Sequence, residues 1–129
     1  MAEMITSQEY KQEKDVLLAP HLAFTINAVV GNTGVATSNG KKIIPAGTPV
    51  GNATNSVLEK RDTVLVVTNT STLGANSQGV LRHDVDVTNG NSEAEVIVTG
   101  VIDSSKCPTL EATAKTALAK ITFINGGSY

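Results

Sequence analysis

Four side chains that can take part in catalysis lie in the second half of the sequence: His83, Asp84, Asp86 and Cys107. A carboxylate beside an imidazole can orient it for base catalysis. In an extended strand, however, His83 and Asp84 point to opposite faces, and it is Asp84 and Asp86 that share one. The sequence also lacks a Gly-x-Ser-x-Gly elbow and a His-Glu-x-x-His motif. We therefore predict that the protein is not an enzyme and uses no cofactor or small-molecule substrate.

A calcium loop is a sharper possibility for the same region. Asp84, Asp86 and Glu95 occupy the first, third and last positions of a segment with the length of an EF-hand loop. Such a loop requires Gly at its sixth position, where Asn89 stands, and helices on both sides, where this chain has Val-rich segments. We interpret the segment as a polar hairpin with solvated carboxylates and predict no metal site.

Charge and composition disfavour several other classes of function. Lys and Arg number 10 against 12 Asp and Glu, so no basic excess is present to neutralise nucleic-acid phosphates. The glycine turns at 31–34 and 126–127 lack the Lys and Ser/Thr of a phosphate-binding loop. A single cysteine, no signal-like leader and no membrane-length apolar run indicate a soluble protein made in a reducing cytoplasm.

The apolar residues indicate strands. Aromatic residues make up 3% of the chain and Trp is absent, so Val, Ile, Leu and Ala must build the core. Short apolar runs separated by Gly, Asn and Pro predict strands at 22–30, 42–44, 48–51, 63–68, 79–87, 93–102 and 121–124. The Asn-Gly-Asn-Ser sequence at 89–92 predicts a hairpin. A helix is predicted at 109–118, and the polar segment 69–78 is expected to be a surface loop.

These elements predict a mostly β fold, a small compact barrel or sandwich-like domain spanning 18–129 with one short helix near the C-terminus. Residues 1–17 are polar and charged, and we interpret them as an extended N-terminal arm, with a short amphipathic helix as the alternative.

Two segments carry a resemblance to a known family. Residues 42–51 read Lys-Ile-Ile-Pro-Ala-Gly-Thr-Pro-Val-Gly, and residues 79–88 read Gly-Val-Leu-Arg-His-Asp-Val-Asp-Val-Thr. In this order, followed by the apolar run at 96–102 and by Ala-Leu and Ile-Thr-Phe at 117–118 and 121–123, they resemble the head decoration and head fibre proteins of tailed bacteriophages. The resemblance covers residues 43–124, and we expect none of the extra C-terminal domains that the longer head fibres carry.

The resemblance implies a structural virion protein. It would bind the major capsid protein on the outer surface of the expanded head, at local threefold positions, as a homotrimer with an N-terminal arm that reaches neighbouring subunits. Within the arm, the apolar residues most able to gain burial on docking are Ile5, Tyr10, Val16 and Leu17. The alternative function is a β-sandwich module for adhesion or carbohydrate binding, although the chain is poor in the aromatic side chains that sugar-binding faces present.

Overall fold

The fold was obtained as a computed structural model that describes residues 16–125. The strands are β1 (Leu17–Leu18), β2 (Phe24–Val30), β3 (Ile43–Ile44), β4 (Pro49–Gly51), β5 (Val64–Val67), β6 (Ser77–Leu81), β7 (Val85–Asp86), β8 (Ser92–Asp103) and β9 (Ile121–Ile124). One short α-helix, α1, spans Ala112–Ala117, and 3-10 turns lie at Pro20–Leu22, Gly74–Asn76 and Ser104–Lys106. The predicted mostly β fold with a short helix near the C-terminus is confirmed.

Five strands close into a small barrel. β8 pairs with β2 on one side and with β6 on the other, and the order β2, β5, β4, β6 completes the ring. The β2–β5 pairing is parallel, and the other four pairings of the ring are antiparallel. Closing the sheet satisfies the backbone hydrogen bonds that open edges leave exposed. Of the predicted barrel or sandwich, the barrel is therefore the architecture found.

β8 is longer than the barrel, and its last residues form a second sheet. Gly100 to Asp103 pair in parallel with β9, while Val101 and Ile102 pair in antiparallel fashion with β1 on the other side. β1 was not predicted, because two apolar residues are too few to show an alternating pattern. The domain is thus a barrel with a three-stranded extension.

Two hydrophobic clusters hold these two parts together. The first fills the barrel and consists of Ile26, Ala28, Val30, Ile44, Val50, Val57, Leu65, Leu81, Val85, Val87, Val96 and Val98. The second lies beside the extension and consists of Val16, Leu17, Ala46, Val80, Ile97, Ile102, Leu118 and Ile121. Successive residues of a strand face opposite sides, so Val96 belongs to the first cluster and Ile97 to the second. β8 therefore forms part of both cores.

Two predictions about the central hairpin are corrected. The predicted strand 79–87 is divided into β6 and β7 by residues 82–84, which are not extended strand. The chain does reverse near Gly90, where Gly90 N donates to the carbonyl of Val87 over 3.2 Å. β7 nevertheless pairs with β3 rather than with β8, through Ile43 opposite Asp86 and Ile44 opposite Val85. A hairpin read from turn residues alone misses a partner that lies distant in sequence.

The segment 69–78 was predicted to be a surface loop. It is instead packed against α1, and it contains a 3-10 turn and the start of β6. The side chain of Asn69 donates to Thr109 O over 2.9 Å and accepts from Glu111 N over 2.9 Å. Gly74 is buried against Thr113, whose side chain fills the space a Cβ at position 74 would need. The side chain of Asn69 thus holds the residues that lead into α1 in place.

Candidate functional site

The two segments that carry the family resemblance lie side by side. Pro49 pairs with Val80 and Val50 with Gly79, while Gly47 N donates to Leu81 O over 2.8 Å. Further along, β3 and β7 form a two-stranded sheet. Residues 42–51 and 77–88 therefore form one paired unit that is held by two separate antiparallel pairings, β4 with β6 in the barrel wall and β3 with β7 in the two-stranded sheet.

The turn inside this unit is held by Asp84. Ala46 N donates to Asp84 Oδ1 over 2.8 Å, and Thr48 N donates to Pro45 O over 3.3 Å. Gly47 has φ +89°, the left-handed value that the third position of a type II turn requires. The position also lies against Cys107, so a side chain there would collide with its sulfur, its Cβ and its Cα. The carboxylate of Asp84 is therefore a structural acceptor.

Asp86 has a similar local role in the following turn. Thr88 N donates to Asp86 Oδ1 over 2.9 Å, and Thr88 Oγ1 accepts from Lys42 N over 2.9 Å. Hydrogen bonds from the side chain and backbone of Thr88 lower the pKa of Asp86 below its ordinary value of 3.8. The carboxylate is thus kept ionised and bound to its own turn.

His83 and Glu95 do not join the two aspartates. Glu95 Oε2 lies 3.0 Å from Arg82 Nη1, and its Oε1 lies 3.7 Å from His83 Nε2. Among residues 16–125, no group of three or more His, Cys, Asp or Glu side chains is placed to hold a metal ion. The acidic positions of the EF-hand-like spacing are therefore engaged in separate contacts.

Cys107 is not placed as a nucleophile. It is half-buried, and desolvation together with the negative charge of Asp103 raises the pKa of its thiol to about 11. Its Sγ lies 3.5 Å from the carbonyl oxygen of Asp103. At neutral pH the thiol is protonated, and the protonated form is a poor nucleophile.

The predicted capsid-binding residues divide into two groups. Ile5 and Tyr10 lie outside the described residues. Val16 and Leu17 are 0% and 6% exposed and belong to the second hydrophobic cluster. Both side chains are therefore already buried within the domain, which leaves them little to gain on a partner. The capsid-binding role of the four residues and the boundary after residue 17 stay predictions.

Both ends of the described chain meet at the far end of β8. Asp103 N donates to the carbonyl oxygen of Val16 over 2.9 Å, and Asp103 pairs with Ile124 on the other side. The Asp103 carboxylate is itself buried and accepts from Ser105 N over 3.0 Å and from Ser105 Oγ over 2.6 Å. Residues 1–15 and 126–129 therefore connect to the same end of the domain.

The described residues form two apolar features on the surface. A cavity of about 360 Å³ along α1 is lined by Ala75, Ala112, Thr113, Thr116 and Ala117. Leu22 and Phe24 are 62% and 55% exposed and follow Ala19, which has a left-handed φ of 49°. Neither the exposed apolar pair nor the turn-holding role of Asp84 was predicted. The role of Asp84 depends on Ala46, a partner 38 residues away in the sequence. Nothing in the sequence around Asp84 indicates that its carboxylate would accept a hydrogen bond from a distant turn.

The chain matches no family model and no curated protein. No helix among residues 16–125 is long and apolar enough to cross a membrane.

Proposed function

We propose that this protein is a structural virion protein that binds the outer surface of an expanded bacteriophage capsid and stabilises it. The observation that carries the proposal is the pairing of residues 42–51 with 79–88. These are the two segments that resemble head decoration proteins. Because they pair with each other, they form a single structural feature and are not two unrelated turns. The small closed barrel of the described residues agrees with the β-rich domain that the resemblance implies.

The described polar residues also favour a structural role. Asp84 and Asp86 accept hydrogen bonds from backbone groups of neighbouring turns, and Cys107 is a protonated, half-buried thiol. A docking protein requires a stable body and a contact surface, and it requires no activated nucleophile.

In the proposed mechanism, residues 1–15 supply the contact with the major capsid protein, with Ile5 and Tyr10 as apolar anchors. The segment joins the domain at Val16, beside the end of β8, and an extended chain of this length reaches up to roughly 50 Å. Backbone hydrogen bonds to a sheet edge of the capsid would provide affinity with little demand on side-chain identity. In a homotrimer at a local threefold position, three such contacts act together and raise the overall affinity.

The test uses the boundary that the structure defines. The full-length chain and a variant lacking residues 2–15 are mixed with expanded and with unexpanded heads, and bound protein is measured by sedimentation and imaged on the shell. We expect the full chain to add density at threefold positions of expanded heads and to raise their resistance to heating. Absence of binding by the full chain to expanded heads contradicts the function. Full binding by the folded truncated variant contradicts only the arm mechanism.

A further inference from the structure

The sequence has three Asn-Gly pairs, of which Asn39-Gly40 and Asn89-Gly90 lie wholly within the described residues, in turns whose surroundings differ; Gly126 of the third, Asn125-Gly126, lies outside them. Asn followed by Gly is prone to lose its side-chain amide, because glycine has no side chain to hinder attack by its own backbone nitrogen. The reaction depends on how freely that nitrogen can be deprotonated and moved towards the Asn side chain.

The turn at Asn39 is weakly held. Residues 36–41 are all exposed, and an added Cβ at Gly40 meets no atom within 4 Å. Asn39 and Gly40 have φ angles of 53° and 76°, as in the two-residue turns that require left-handed backbone. Ser38 and Lys41 exchange two backbone hydrogen bonds across the turn, but within residues 16–125 no acceptor is bound to Gly40 N. The reacting nitrogen therefore faces solvent.

The turn at Asn89 is held much more firmly. Gly90 N donates to Val87 O over 3.2 Å, so the reacting nitrogen is already engaged. Thr88 on its N-terminal side bonds Asp86 and Lys42, and Ser92 Oγ on its C-terminal side donates to Asp86 O over 2.7 Å. Opening this turn requires several hydrogen bonds to break together.

We propose that Asn39 is a site of spontaneous deamidation and that the fold protects Asn89 from the same reaction. The deprotonated backbone nitrogen of Gly40 attacks Asn39 Cγ, forming an N–Cγ bond. The Cγ–Nδ2 bond breaks, and the amide nitrogen takes up a proton and leaves as ammonia. Water then opens the cyclic imide at either carbonyl, leaving an aspartyl or isoaspartyl residue. The product carries a new negative charge beside Lys41, and this inference is independent of the proposed function.

The test follows both sites in the same folded chain. The full-length protein is incubated in mildly alkaline buffer and digested with trypsin, which cleaves at Lys41 and Arg82 and so places Asn39 and Asn89 on different peptides. Mass spectrometry then measures the gain that accompanies replacement of an amide by an acid at each position. We expect modification at Asn39 to be at least about fivefold faster than at Asn89. This is the factor by which the loss of one net hydrogen bond, the one that Gly90 N makes, would slow the reaction. Equal rates, or a faster reaction at Asn89, overturn the proposal.

A denatured sample and two variants separate the effect of the fold from that of local sequence. In concentrated urea the two rates should converge, because both sites are Asn-Gly; an unchanged ratio contradicts the role assigned to the fold. Asn39→Asp should remove the early product and supply a chromatographic reference for its charge. The matched variant Asn89→Asp should form the early product at the same rate as the original protein. If Asn89→Asp abolishes the early product, the proposal is wrong.

Discussion

Asp103 donates its backbone N–H to the carbonyl oxygen of Val16 over 2.9 Å, which fixes the first described residue to the buried end of β8. The neighbouring Leu17 pairs with Ile102 and packs in the second hydrophobic cluster. The start of the domain is thus a structural element, in which apolar residues follow directly on a polar and charged segment.

Replacing Leu17 tests this assignment. Leu17→Ala should lower the free energy of unfolding by about 2–5 kcal/mol, because it leaves a cavity in a packed core. The control is Leu22→Ala at a side chain that is 62% exposed, where a change within about 0.5 kcal/mol is expected. Urea denaturation measures both. Similar small effects for the two variants would show that β1 contributes little to the fold.

Removing the carboxylate at position 84 should weaken the unit formed by residues 42–51 and 77–88. Asp84→Ala leaves Ala46 N without its acceptor, and we expect a loss of about 1 kcal/mol in the free energy of unfolding. Glu93→Ala removes an exposed carboxylate from β8 and serves as the control for a change of charge. Equal stability of the two variants would contradict the structural role given to Asp84.

Acid should weaken the domain in part through Asp86. Hydrogen bonds from Thr88 lower the folded pKa of this carboxyl below 3.8, so the unfolded chain takes up a proton first as the pH falls. The stabilisation is therefore present above pH 3.8 and is lost as the pH falls through the folded pKa. The urea midpoint of Asp86→Asn should fall less steeply below pH 3.8 than that of the original protein. Parallel curves for the two proteins would refute this contribution.

The thiol of Cys107 should react slowly in the native protein. With a pKa of about 11 it carries little thiolate near neutral pH, and alkylation by iodoacetamide should accelerate as the pH rises from 9 towards 11. Since the folded pKa is raised, the stabilisation linked to the protonated thiol is present below pH 9 and is lost over the same range. In urea the rate at pH 8 should approach that of a free thiol. Rapid alkylation of the native protein at that pH would contradict the burial of the side chain.

Substitutions at two glycines distinguish the cost of backbone strain from the cost of a steric collision. Gly34 has φ +81° and nothing near the position of a Cβ, whereas Gly47 has φ +89° and lies against Cys107. Gly34→Ala should cost about 1 kcal/mol through backbone strain alone. Gly47→Ala should cost clearly more. Cys107→Ala in the same chain removes the sulfur but keeps Cβ and Cα of residue 107, which lie 2.8 and 2.9 Å from the added methyl group, so it should recover only part of the difference. If the two single variants are equally stable in urea, the contact between Gly47 and Cys107 is not tight.

The sequence predicted the elements whose signals are local. β8 was expected at 93–102 and is found at Ser92–Asp103, because its second half is rich in β-branched residues. The helix expected at 109–118 is shorter, Ala112–Ala117, since the residues before it are held extended by Asn69. The strand expected at 22–30 is β2, in which the buried Ile26 and Ala28 alternate with the exposed Asn27.

What the sequence did not predict depends on partners distant along the chain. β1 becomes a strand only because β8 passes beside it, and β7 takes β3 as its partner in place of the nearer β8. For the candidate site, the order of the two family-like segments was visible, but their side-by-side pairing was not. Val16 and Leu17 looked like part of the arm because a flanking polar segment hides two isolated core positions.

Because β8 contributes side chains to both hydrophobic clusters, a change in its register would affect both at once. Val96 faces the inside of the barrel and Ile97 faces the cluster beside the extension, so sliding β8 by one residue would exchange the two sets of side chains. Neither core can accept the other's residues without leaving gaps or collisions, and both would fail together. The barrel and its extension should therefore melt in one cooperative step, and insertions within Ser92–Asp103 should be the least tolerated changes in the chain.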